Sequence, residues 1–428
     1  MSPITRLFIF CDGTWCGRDT QTTTNIHLLA RMVGLNPNGP DSERELYNEE
    51  HAFKARYFDG IGLGSSFLAY LFNGATANDI GTMCEQVYTY IVRNYEPGAE
   101  IWMFGLSRGS YTVRCVGGMI NNCGIINRNL FGSGSGDELE SLCKAVYRIY
   151  CSPYEEDKPQ SKQTGDFRKA VSWDVKTPIK FLGLLDTVGS VGIPTLEAGN
   201  GPVYPTLWDQ VVSSEVENVY HAVSLHDRLS LFQPCLTQRN KFSHTKIYEC
   251  WFPGCHYDLG RQKFNFFRAG AAARKAVVVL SDVVLLWMLE AIDTHCPDPD
   301  IFHGGRLPQY EPAALQRAIA NPKKSSIGSG DVYSSSLTYL PFGRVLGLFN
   351  KIDLFGATEV VKLLLAVRDR RIPSRDAEVY PYDLLQYGET NRTVAQLAGV
   401  DGKRYPSKTA QTWRTWCAAF DVDMDGTS

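Results

Sequence analysis

The chain has 428 residues, 44% of them hydrophobic and 21% charged, with a formal net charge of -3. That is the balance of a soluble globular protein, long enough for one elaborated domain or two smaller ones. A near-neutral chain without a Lys/Arg cluster excludes function classes that work by neutralising phosphate, so no nucleic-acid partner is expected.

The amino terminus carries one Arg and a short apolar run, Leu7 to Cys11, with Asp12 directly behind it. This is too short and too acidic for a signal peptide and predicts a first β-strand, so a cytoplasmic location is expected. Behind it comes Cys11-Asp12-Gly13-Thr14-Trp15. A strand followed by Asp-Gly-Thr invites comparison with aspartyl phosphatases, but their nucleophile would stand where Phe10 is. In a hydrolase the same loop offers the backbone N–H groups of Gly13 and Thr14 to an oxyanion.

Apolar runs at Phe53 to Phe58, Ile101 to Phe104, Ile179 to Leu185 and Ile247 to Phe252 predict further buried strands. After the second, Phe58-Asp59-Gly60-Ile61-Gly62-Leu63-Gly64 does not match the dinucleotide spacing and reads as a flexible loop near a site mouth. Asp59 there either contacts substrate or caps the turn. Between the second and third strands, Ile80, Cys84, Val87, Ile91 and Tyr95 share one helical face, with Asn78 or Asp79 as the cap. Strands alternating with helices predict an α/β fold, a mostly parallel sheet with helices on both faces, whose chemistry gathers at the carboxyl ends of the strands.

Gly105-Leu106-Ser107-Arg108-Gly109 sits where the strand Ile101 to Phe104 gives way to a helical pattern, the layout of a nucleophile elbow. A chance Gly/Ser turn is the alternative. Ser107 needs an acid and a histidine later in the chain, each just past a strand. Asp186 ends the run Phe181 to Leu185 and suits the acid role, a turn cap being the alternative. His256 follows Ile247 to Phe252 through Pro253-Gly254-Cys255 and suits the base role. Its competitors His221 and His226 fall in Tyr220 to Arg228, which reads as a helix end, and Asp258 is a further candidate for orienting a histidine.

Ser152 to Lys169 holds no Leu, Ile, Val or Met and reads as a polar surface insertion or mobile loop. Ala276 to Ile292 is strongly apolar, yet Asp282 and Glu290 interrupt it, so it reads as a buried helix rather than a membrane span. Asn321 to Ser336 reads as a linker, and Val345 to Leu354 and Val360 to Val367 as amphipathic stretches beyond it. The twelve cysteines show no CxxC pair or zinc spacing. Reduced, packed thiols are expected, with no disulfide, metal or cofactor; Cys11 and Cys16 bracket the Asp12 loop, where a reactive thiol is the alternative to a core one.

Five motifs in order, Phe10 to Trp15, Tyr57 to Gly62, Phe104 to Gly109, Leu185 to Gly192 and Trp251 to Asp258, resemble the DUF2235 family. This α/β-hydrolase family includes the Tle1-like phospholipase effectors of type VI secretion. The resemblance implies a Ser107-Asp186-His256 triad and an ester substrate. It departs after the histidine, where the family pattern His-Ser-Asp-Val-Gly-Gly-Gly is replaced by His256-Tyr257-Asp258-Leu259-Gly260-Arg261-Gln262.

The expectation is therefore an α/β-hydrolase-like core over residues 1–297, including the polar insertion at 152–169, and a mainly helical or irregular region over 298–428 that is a lid or a packed extension. Ser107 would be the nucleophile, His256 the base and Asp186 the acid. Arg108, Asp12, Gly13, Thr14 and Asp59 would line the site, the N–H groups of Arg108 and of the Gly13 to Thr14 loop holding the oxyanion. The expected substrate is a lipid or phospholipid acyl ester, with transient membrane-surface contact through Leu337 to Phe349. An inactive hydrolase scaffold serving as a binding module and a small-molecule esterase are the other readings.

Overall fold

A computed structural model describes residues 3–14, 16, 22–60, 77–132, 136–189, 195–197, 201–203, 211–224, 227, 233–237, 244–252, 254–264, 274–275 and 278–320. Trp15, His226, the linker and amphipathic stretches past 320, and the candidate lid at 337–349 lie outside the described residues.

In chain order the elements are β1 (Arg6–Cys11), α1 (Asn25–Met32), β2 (Glu45–Asn48), β3 (Phe53–Phe58), α2 (Ala77–Asn94), β4 (Glu100–Leu106), α3 (Arg108–Cys123), α4 (Gly136–Tyr150), α5 (Lys162–Val171) and β5 (Ile179–Leu185). There follow β6 (Thr195–Glu197), β7 (Gly201–Val203), β8 (Val216–Ser224), β9 (Lys246–Phe252), α6 (His256–Gly260), β10 (Lys263–Phe264), β11 (Arg274–Lys275), α7 (Val278–His295), α8 (Asp300–His303) and α9 (Pro312–Ala320). The main sheet has seven strands in the order β2-β3-β1-β4-β5-β8-β9. Every neighbouring pair is parallel except β2 and β3.

Period-two alternation divides the core between the two faces of this sheet. Leu7, Ile9 and Cys11 of β1 pack with α2, α3 and α4 on one face, whereas Phe8 and Phe10 pack with α1, α7 and α8 on the other. On the second face, rings stack from strand to strand: Phe10 on Phe104 at 5.2 Å, Trp102 on Phe181 at 5.1 Å, Phe181 on Tyr220 at 5.2 Å and Tyr220 on Tyr248 at 4.5 Å. Aromatic pairs at these spacings add about 0.5–1.5 kcal/mol each beyond the area they bury. The core continues past residue 297, because Ile301, Phe302, Leu315 and Ile319 belong to the same cluster as Phe8 and Phe10.

Three local expectations are corrected. Tyr220 to Ser224 is the carboxyl end of the interior strand β8 rather than a helix end, since Asn218, His221 and Ser224 are buried polar residues with partners. The apolar-poor stretch from Ser152 contains helix α5, which the Ser161 hydroxyl caps at the Thr164 N–H and which Arg168 ties to the carbonyls of Asn122 and Pro159. Asn78 and Asp79 lie within the first turn of α2 and not ahead of it.

The expected helix over Ala276 to Ile292 is α7, buried along most of its length. Among the described residues no helix is long and apolar enough to cross a membrane. The described cysteines are free thiols, and burial pushes those of Cys11 and Cys16 well above the usual thiol range, which leaves them protonated.

Candidate active site

The chain runs from β1 out to β3 and then returns to β4 on the other side of β1. That reversal makes the carboxyl ends of β1 and β4 a topological switch point, the place where open α/β sheets bind ligands. Asp12 follows β1 there, and Ser107 follows β4.

Ser107 has φ 57° and ψ -117°, a left-handed conformation that a non-glycine residue adopts at a cost of about 1–3 kcal/mol. Two glycines make room for the turn. A β-carbon on Gly105 would stand 2.6 Å from the carbonyl carbon of Gly109, and one on Gly109 would stand 2.6 Å from the carbonyl oxygen of Asp12. The turn is anchored from both sides: Ser107 N–H donates to the Leu185 carbonyl at 2.9 Å, and Val188 N–H donates to the Ser107 carbonyl at 3.3 Å. Ser110, one turn into α3, donates its hydroxyl to the Gly105 carbonyl at 2.6 Å and accepts from Leu185 N–H at 3.1 Å. Burial pushes the Arg108 guanidinium down to about 9.

Asp186 opens the loop after β5 with φ 42° and is wholly buried. Its Oδ2 lies 2.7 Å from His256 Nδ1, while Oδ1 accepts from Ser224 N–H at 2.9 Å. A carboxylate on Nδ1 holds the proton there and leaves Nε2 as the basic nitrogen. His256 is the first residue of α6, and Asp258 Oδ2 caps that helix by accepting from Cys255 N–H at 2.9 Å. His256 N–H donates to Asp227 Oδ2 at 3.1 Å. Asp258 is therefore a cap, and the carboxylate on the imidazole is Asp186.

The loop after β1 is organised by Asp12, which is almost wholly buried. It accepts from Thr24 Oγ1 at 2.6 Å, from the Tyr57 hydroxyl at 2.6 Å and from Gly13 N–H at 2.7 Å. Desolvation nevertheless pushes its carboxyl up to about 6. The Gly13 N–H is spent on this carboxylate, which counts against the expected donation of Gly13 to an oxyanion. The Thr14 hydroxyl is buried without a hydrogen-bond partner among the described residues.

Asp59 lies beyond β3 and pairs with Arg44 at 2.7 Å. Gly60 N–H reaches the Cys16 carbonyl at 2.8 Å, so the segment after β3 buttresses the Asp12 loop from outside. His221 is buried on β8 with both ring nitrogens engaged, Nδ1 3.2 Å from Glu249 and Nε2 accepting from Thr187 N–H at 3.2 Å. Ser224, Asp227, Thr24 and Tyr57 are partners that sequence reasoning missed. Each is brought in by sheet register or by a distant loop, and no local pattern marks them. Among the described residues no cluster of three or more His, Cys, Asp or Glu side chains is placed to hold a metal.

The family model for the catalytic domain of Tle1-like phospholipase effectors of the type VI secretion system matches residues 5–291. An uncharacterized protein of Saccharomyces cerevisiae is 30% identical over 241 residues, which are 54% of this chain and 32% of that protein. The chain thus spans about a third of the length of that curated relative. Among solved structures, the Tle1 effector bound to the VgrG spike of the type 6 secretion system aligns with a TM-score of 0.33 at 18% identity, covering 61% of this chain and 52% of that one. An uncharacterized protein from Pseudomonas aeruginosa aligns with a TM-score of 0.32 at 13% identity, covering 98% and 62%.

Proposed function

The chain belongs to the Tle1-like phospholipase effector catalytic-domain family, and from that premise we propose that it is a serine hydrolase cleaving a carboxylic ester, with a lipid or phospholipid acyl ester as substrate. The observation that carries this reading is the buried pair of Asp186 Oδ2 and His256 Nδ1 at 2.7 Å, at the same end of the sheet as the strained Ser107 elbow.

Ser107 Oγ attacks the ester carbonyl carbon while His256 Nε2 takes the hydroxyl proton. Asp186 holds the proton on Nδ1 and stabilises the imidazolium. The carbonyl electron pair moves onto oxygen, where the N–H of Arg108, first in α3, and Thr14 receive it. Collapse of this tetrahedral species breaks the bond to the alcohol oxygen, which leaves with the proton from His256. Water then repeats the sequence on the acyl-enzyme, releasing the acid and restoring Ser107. Loss of one oxyanion donor is expected to lower turnover by roughly 10²–10³-fold.

The test is reaction of the intact protein with a fluorophosphonate, with mapping of the adduct by peptide mass spectrometry. Adduct on Ser107 that disappears in His256→Ala, together with fatty-acid release from phospholipid vesicles, supports the reading. Esterase activity that survives Ser107→Ala overturns the mechanism. Turnover of short soluble esters without release from vesicles overturns the lipid assignment alone.

A further inference from the structure

Directly beside the Asp186–His256 pair lies a second histidine–carboxylate pair, buried and outside the proposed catalytic set. His221 on β8 and Glu249 on β9 are register partners, and both are wholly buried. Backbone N–H of Thr187, the residue after Asp186, donates to His221 Nε2 at 3.2 Å. An amide nitrogen can only donate, so Nε2 holds a lone pair and the ring proton sits on Nδ1. That proton points at Glu249 Oε2, 3.2 Å away. The same carboxylate oxygen accepts from Thr237 N–H at 3.1 Å and from the Thr237 hydroxyl at 2.8 Å.

We infer that His221 and Glu249 form a positioning pair for the acid arm of the active site, fixing through Thr187 the backbone that aims Asp186 at His256. The inference rests on the proposed triad. Its physical basis is the conformation of Asp186, whose φ of 42° puts a β-carbon-bearing residue in the left-handed region. Such a conformation persists only where the surroundings over-determine it.

The fixings around Asp186 meet that requirement. Asp186 N–H is held by the Ala222 carbonyl at 2.7 Å, Thr187 N–H by His221, and the Thr187 carbonyl by Cys235 N–H at 2.8 Å. Arg114 of α3 reaches the Cys235 carbonyl at 2.6 Å and so steadies the segment that also delivers Thr237 to Glu249. Of these fixings only the one through His221 depends on a side chain of fixed tautomer, and Glu249 sets that tautomer. The pair therefore does for the loop of Asp186 what Asp186 does for His256: a carboxylate fixes a ring, and the ring's other nitrogen fixes the next group.

His221→Asn and His221→Gln separate this role from simple core packing. A glutamine oxygen reaches about as far as Nε2 and keeps an acceptor for Thr187 N–H, whereas asparagine stops at the distance of Nδ1 and leaves that amide unpaired. The first readout is the downfield proton resonance of the His256 Nδ1–H in its bond to Asp186, which requires no substrate. It is expected in the parent and in His221→Gln, and to vanish or move strongly upfield in His221→Asn. The second readout is turnover of an ester substrate. His221→Asn is expected to lower kcat by up to about a hundredfold with KM unchanged, the scale of an ångström-level misplacement, and His221→Gln to recover most of it. An unchanged resonance in His221→Asn overturns the inference, as does equal loss in both variants. A parent that shows the resonance but no labelling at Ser107 counts against the hydrolase reading and leaves the positioning result to stand on the resonance.

Discussion

Gly109 packs so tightly on the end of β1 that a β-carbon there would stand 2.6 Å from the carbonyl oxygen of Asp12. The obstruction is backbone, which cannot rotate away as a side chain would. The contact ties the first turn of α3 to the Asp12 loop and so holds the ends of β1 and β4 together. Gly109→Ala is expected to cost about 1–3 kcal/mol in urea unfolding, the range for overpacking a rigid site. It should also slow fluorophosphonate labelling of Ser107. Parent-like stability together with a parent-like labelling rate would mean that the packing of α3 on β1 is looser than this contact implies.

Asp186→Asn keeps the size of the side chain but reverses the hydrogen-bond logic at Oδ2. An amide nitrogen in that place would donate to Nδ1 and drive the imidazole proton to Nε2, where it blocks proton transfer from Ser107. The expected loss is about 10⁴-fold in kcat near neutral pH, with far smaller change in KM. Ester hydrolysis across a substrate series measures both. A loss of less than tenfold would show that Asp186 does not set the His256 tautomer.

Much of this arrangement was legible in the sequence, and the exceptions have a common cause. The strands β1, β3, β4, β5 and β9 stood out as apolar runs because both faces of a parallel sheet are covered. The elbow stood out because its glycines are local requirements. β8 did not, since Asn218, His221 and Ser224 break its apolar run and become intelligible only with their partners Lys180, Glu249 and Asp186 in place. The edge strand β2 is four residues long and at most half-buried, too short for a core stripe to reveal it. Helix α5 is held by a cap, by Arg168 and by the single ring of Phe167, too little for an apolar stripe. The partner of the His256 N–H, Asp227, comes from 29 positions away, beyond any local motif.

Asp12 carries a pH dependence with a definite sign. Its carboxyl is pushed from 3.8 up to about 6 by burial, so between those values the folded state holds the proton more tightly than the unfolded chain does. Stability contributed by this group falls as pH rises through that window, and the penalty persists above it. The Tyr57 hydroxyl, 2.6 Å from Oδ2, works against the penalty by favouring the ionised form. Tyr57→Phe is expected to cost about 1.5–3 kcal/mol at neutral pH, the worth of a hydrogen bond to a charged group, and less near pH 4, where Asp12 of the folded state is protonated. Urea titrations at the two pH values provide the check. An equal loss at both would show that the tyrosine contributes packing and not charge stabilisation.

His303 has a dependence of the same sign in a higher window. Its Nε2 meets Asp293 of α7 at 2.6 Å and its Nδ1 meets Glu311, just before α9, at 2.9 Å. The Asp293 hydrogen bond leads in raising its pKa above 6.5. Two carboxylates on one ring are satisfied only by the imidazolium. The stabilisation is therefore fully present below about pH 6.5, the unfolded value, and is lost as pH rises through the folded value. His295, on the last turn of α7, is shifted downward by burial and contributes with the other sign. The clean measurement is thus the difference between parent and His303→Gln in denaturant midpoint as a function of pH. The gap is expected to be largest below about pH 6.5 and to close on the alkaline side; a gap independent of pH would remove the imidazolium from the account.

Arg261 stands where the family pattern that the chain resembles has glycine, and its backbone shows why glycine suits the place: φ is 57° and ψ 32°, left-handed, immediately after α6. Three contacts offset the cost of putting a side chain there. The guanidinium donates to Asp282 of α7 and to Asn25 Oδ1 at 3.0 Å, and it lies 5.4 Å from the centre of the Tyr310 ring. Asn25 in turn donates to the carbonyls of Leu259 and Ser281, so the end of the helix bearing His256 is stitched to α1 and α7. Arg261→Gly relieves roughly 1–2 kcal/mol of left-handed strain but strands a carboxylate that is only 10% exposed, a change that costs about 3–5 kcal/mol when a buried partner is removed. The net expectation is destabilisation by about 1–4 kcal/mol. Asp282→Asn alone should also destabilise, by leaving the guanidinium short of its counter-charge. Combining the two removes both halves of the ion pair while keeping the strain relief. The double variant is therefore expected to be more stable than Arg261→Gly, a coupling that a denaturation double-mutant cycle reads directly. Strict additivity would mean that the arginine is held by Asn25 and Tyr310 alone.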